Sequence, residues 1–88
     1  MELSVRFNSY DDNHGWYIYN NNLNNSDAYI AKLLDIPFKE YKNLLIKYGA
    51  YLNNSAVSYY FESEEDANKF LESEEIELRR IMLKIIGN

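Results

Sequence analysis

Ile30-Ala31-Lys32-Leu33-Leu34-Asp35-Ile36-Pro37-Phe38-Lys39-Glu40-Tyr41-Lys42-Asn43-Leu44-Leu45-Ile46 decides how this chain is read. Ile30, Ala31 and Leu34 recur at helical spacing, Ile36 sits in a break, and Tyr41 and Leu44 resume the pattern. That is the spacing of a helix-turn-helix, with Ala31 as the small residue where the two helices cross. Two positions depart from it. Asp35 stands where the turn usually has Gly, and Pro37 follows in the turn. Pro37 suits the start of the second helix, where its missing N–H is not needed. Lys39, Lys42 and Lys47 on that helix would serve phosphate contacts if the motif met DNA. The alternative is a plain αα-hairpin packed on a sheet.

The flanks supply the sheet. Leu3, Val5 and Phe7 alternate with polar residues, and Trp16-Tyr17-Ile18-Tyr19 is a β-favouring aromatic run. With turn residues Asp11-Asp12-Asn13-His14-Gly15 between them, residues 2–20 read as a β-hairpin. Trp16 and Ile18 should share one face and Tyr17 and Tyr19 the other. Ser26 or Asn25 should cap the first helix, with Asp27 in its first turn. Gly49 should end the second helix near Tyr48. Ala50-Tyr51-Leu52 starts a third strand, and Val57–Phe61 is a fourth. Ser63-Glu64-Glu65-Asp66 resembles a capping box with Asp in place of Glu or Gln, opening a helix whose inner face is Ala67, Phe70 and Leu71. Glu74 breaks the seam that would continue through Leu78, Ile81 and Ile85. The ending therefore reads as a helix over 74–80 followed by a strand or an irregular tail. The fold class is α+β: a small antiparallel sheet with a helix-turn-helix-like αα-hairpin and a C-terminal helix packed on it.

Composition bounds the function. Eighty-eight residues suit a single domain spanning 1–88, and the 47% hydrophobic content with nine Tyr, four Phe and one Trp compensates for a thin core. With no Cys, disulfides and thiolate zinc sites are excluded. The first residues lack the pattern of a signal peptide, and no apolar run approaches the roughly 20 residues of a membrane span. The expected location is the cytoplasm of a bacterial host cell, with no membrane partner. Abundant Asn, Ile, Lys and Tyr, whose codons are dominated by A and T, suggest an AT-rich genome.

The charge opposes the motif. There are 14 Asp+Glu against 9 Lys+Arg, a net charge of -5. Glu62, Glu64, Glu65, Asp66, Glu72, Glu74, Glu75 and Glu77 fall within sixteen residues, with only Lys69 among them. Asp11 and Asp12 would add to that field if the first hairpin turn lies nearby. Such a run is ordinarily a solvated face. At this density it is also a candidate partner-binding surface, able to occupy a basic nucleic-acid channel on another protein. Because nonspecific DNA affinity comes from phosphate neutralisation, direct nucleic-acid binding is not expected.

Catalysis has little to stand on. His14 is the single histidine, and neither a nucleophile–base arrangement nor a Gly-rich phosphate loop is present. Asp11-x-Asn13-x-Gly15 lacks the later ligands of a calcium loop. No cofactor or metal is expected, and the chain reads as a binding protein, not an enzyme.

The order of pieces resembles small acidic proteins encoded by phages and prophages of low-GC Firmicutes. The resemblance is carried by the aromatic hairpin, Tyr29–Tyr41 and Tyr59-Tyr60-Phe61-Glu62-Ser63-Glu64-Glu65-Asp66-Ala67. It covers most of the chain and brings no catalytic motif. It implies a category in which inhibitors of host defence, such as anti-CRISPR proteins and DNA mimics, are frequent. The expected function is inhibition of a host defence protein through an acidic surface that blocks a basic nucleic-acid-binding site. A helix-turn-helix transcription regulator and a sponge for a small signalling nucleotide are the alternatives.

Overall fold

The structure, a computed structural model, describes residues 3–10, 13–20, 26–52 and 58–86. Strands β1 (Leu3–Tyr10) and β2 (Asn13–Asn20) pair antiparallel, with Leu3 opposite Asn20, Val5 opposite Ile18 and Phe7 opposite Trp16. The alternation puts Leu3 and Ile18 in the core, with Val5 and Trp16 packed partly against it. Phe7 shares their face but lies beyond the core, half exposed, tilted against Trp16 at 5.1 Å. The opposite face carries Arg6 over the Tyr19 ring at 3.8 Å, and Tyr17 edge-on to Tyr60 at 5.8 Å. Both expected faces of the hairpin are therefore present.

Helix α1 (Asp27–Leu33) opens at Ser26, whose Oγ accepts from the Tyr29 N–H. It closes in a Schellman motif: the Ile36 N–H reaches the Ala31 carbonyl at 3.0 Å and the Asp35 N–H reaches that of Lys32 at 3.1 Å. This motif needs a left-handed residue, and Asp35 supplies it at φ 57°. Asp is among the few non-glycine residues that tolerate this region. Asp35 thus takes the left-handed backbone at the position of the missing Gly. Helix α2 (Phe38–Lys47) starts after Pro37 and ends the same way, with Gly49 at φ 97° and the Ala50 N–H bonded to the Leu45 carbonyl. Ala31, Tyr41 and Leu45 are buried, whereas Leu44 is only partly so.

Strands β3 (Tyr51–Leu52) and β4 (Tyr59–Tyr60) pair antiparallel. Phe61, the next residue, exchanges both backbone hydrogen bonds with Trp16, at 2.9 and 2.7 Å, and stitches this pair to the hairpin. Gly15 makes that approach possible: a Cβ there would lie 3.1 Å from the Phe61 carbonyl oxygen. The expected fourth strand is shorter than 57–61, and Val57 lies outside the described residues.

Helix α3 (Glu64–Leu71) is capped by Ser63, whose Oγ accepts from the Asp66 N–H at 3.1 Å. Its inner face, Ala67, Phe70 and Leu71, is buried as its spacing predicts. Phe70 is the hub of the core, with the rings of Tyr41 and Phe61 each 5.7 Å away and Tyr48 at 6.1 Å. A turn at Glu72-Ser73 then re-aims the chain, with the Ser73 hydroxyl donating to the Phe70 carbonyl at 2.7 Å.

Helix α4 runs Glu74–Ile86, which corrects the expected stop at residue 80 and the strand or irregular tail after it. The run holds no Gly or Pro, and Glu, Leu, Arg, Met and Lys are strong helix formers that outweigh the three β-branched residues near its end. Two helices, α3 and α4, follow the last strand. The architecture is α+β.

Candidate interaction surface

The fold explains where the acidic residues lie. Glu64, Glu65 and Asp66 occupy the first turn of α3, and Glu74, Glu75 and Glu77 the first turn of α4. Carboxylates are favoured there by the unsatisfied N–H groups and the helix dipole. One carboxylate group therefore lies at the start of α3 and the other just beyond its end, at the start of α4. Glu65 and Glu72 share the outer stripe of α3, with Lys69 between them, and bridge the groups. Seven of the eight are exposed, and Asp66 is partly so. Lys69 takes Glu65 at 3.4 Å, an exposed pair worth under about 1 kcal/mol. The other seven have no ion-pair partner among the described residues. Asp11 and Asp12, the remaining expected contact residues, lie outside the described residues, and so does the His14 side chain.

The second helix of the helix-turn-helix-like unit offers a mixed surface. Lys39 is exposed, Lys42 sits over the Phe38 ring at 5.0 Å, and Lys47 over the Tyr48 ring at 5.7 Å. A groove between α2 and α4 is walled by Ile36, Glu40, Leu44 and Lys47 on one side and Glu75 and Leu78 on the other. Glu40 and Glu75 thus bring two carboxylates to the groove that Lys47 borders. Arg79 ties α4 to the α1–α2 turn, donating to the Asp35 carbonyl at 3.0 Å.

Sequence reasoning missed the third surface. Ile76 of α4 is fully buried, but Leu78, Ile81, Met82 and Ile85 remain 54%, 48%, 49% and 73% exposed. The seam running through Leu78, Ile81 and Ile85 faces outward because the turn at Glu72-Ser73 rotates α4 onto Ile76. The available signal was an excess of apolar residues in the last helix, placed on more than one face.

One buried ionisable group stands apart from these surfaces. Asp27, 3% exposed, accepts from the Tyr59 N–H at 2.7 Å and ties α1 to β4. Burial pushes its carboxyl up to about 6 against the opposing pull of that hydrogen bond. Burial, and then the Asp27 charge, hold the Tyr41 hydroxyl well above its ordinary pKa. That hydroxyl has no hydrogen-bond partner among the described residues.

No family model, curated protein or solved structure matches the chain. The functional reading therefore rests on its own surfaces. Among the described residues, no cluster of three or more His, Cys, Asp and Glu side chains could hold a metal ion, and no helix is long and apolar enough to cross a membrane.

Proposed function

We propose that this chain is a non-catalytic, phage-type inhibitor that docks on the basic nucleic-acid-binding surface of a host defence protein. The observation that carries the reading is the outward display of Glu62, Glu64, Glu65, Asp66, Glu72, Glu74, Glu75 and Glu77 around the two ends of α3, with a single weak internal pair. Their carboxylates remain available to a cationic surface. Exposed charges of one sign steer association and set register, while a few close pairs carry the affinity. The α3–α4 unit presents them on helices, a stiffer platform than a loop.

The experiment is capture from a bacterial host lysate followed by competition. The expected ligand is a nucleic-acid-binding protein, released from the immobilised chain by duplex DNA and by salt. A variant with Glu64, Glu65, Glu72 and Glu75 changed to Lys should capture at least tenfold less of it, with an unchanged circular dichroism spectrum. Equal capture by that variant would refute the reading.

A second reading, a DNA-binding regulator, is favoured by the left-handed Asp35 at the position of the missing Gly and by the Schellman closure of α1. Its test is duplex binding at low salt by the intact chain, lost on changing Lys39 and Lys42 to Glu. Glu40 and Glu75 beside α2, together with the net charge of -5, weigh against it.

A further inference from the structure

We draw no further inference here: the strongest candidate, the exposed apolar face of α4 formed by Leu78, Ile81, Met82 and Ile85, carries none because nothing in the structure shows what covers it.

Discussion

Replacing Asp27 by Asn should make this protein more stable at neutral pH and nearly indifferent in acid. In the folded chain the Asp27 carboxyl sits among core side chains, and burial lifts its pKa from 3.8 to about 6. Tyr59 donates a short backbone hydrogen bond to it, but one such bond does not offset the lost hydration. The sign follows from proton counting. Between the two pKa values the folded state holds a proton that the unfolded chain has released, so stability falls as pH rises through that window. Asp27 favours folding most below about pH 4, and the loss is complete somewhat above pH 6. At about 1.4 kcal/mol per pH unit, the ionised form costs about 3 kcal/mol relative to the neutral one. Asn keeps an oxygen to accept from the Tyr59 N–H and cannot ionise. Part of the gain is lost with the first-turn dipole interaction, so the variant should gain about 1–3 kcal/mol at neutral pH. Urea unfolding of both proteins between about pH 4 and 8 measures it, since the surface carboxylates common to both cancel in the difference. With a slope near 1 kcal/mol per molar urea, the midpoints should part by roughly 1–3 M at neutral pH and converge near pH 4. Parallel midpoint curves across that range would show that Asp27 is not buried as described.

Three further outcomes test the packing. Ala31→Leu should overpack the α1–α2 crossing and lower stability by about 1–3 kcal/mol in the same assay, because Ala31 is fully enclosed. Asp35→Ile should cost about 1–2 kcal/mol more than Asp35→Gly, since a β-branched residue resists the left-handed backbone that Gly accepts freely. Tyr41→Phe should leave the unfolding midpoint unchanged or raise it, because the hydroxyl it removes has no partner among the described residues.

Most of the local structure was legible in the sequence because it is set by single residues with strong preferences. Ser26 and Ser63 cap their helices as expected, Pro37 opens α2, and Gly49 closes it. The alternation of β1 and β2 reports correctly which face is core. The C-terminal run was harder. The start of α4 at residue 74 was legible, but Ile81, Ile85 and Ile86 favour a strand while Met82, Leu83 and Lys84 favour a helix, so local preference leaves the part past residue 80 undecided. Asp27 was misleading. It reads as a first-turn surface acid, and only the approach of Tyr59 over it, from thirty-two positions away, makes it buried. The acidic run was visible as a density of charge. Its division between the starts of two helices follows from the expected starts at Ser63 and residue 74, and α3 and α4 begin there.

The central claim is that the carboxylates around α3 make the partner contact. The most direct measurement is the association rate of the chain with the defence protein it captures, followed across salt concentration and repeated with Glu64, Glu65, Glu72 and Glu75 changed to Lys. The account predicts association that slows steeply as salt rises, as screening shortens the reach of exposed charge. It also predicts that duplex DNA competes for the same surface and that the four-Lys variant associates at least tenfold more slowly while remaining folded. Salt-independent association, with the variant binding as fast as the original chain, would contradict it and leave the acidic residues as helix-terminal stabilisers alone.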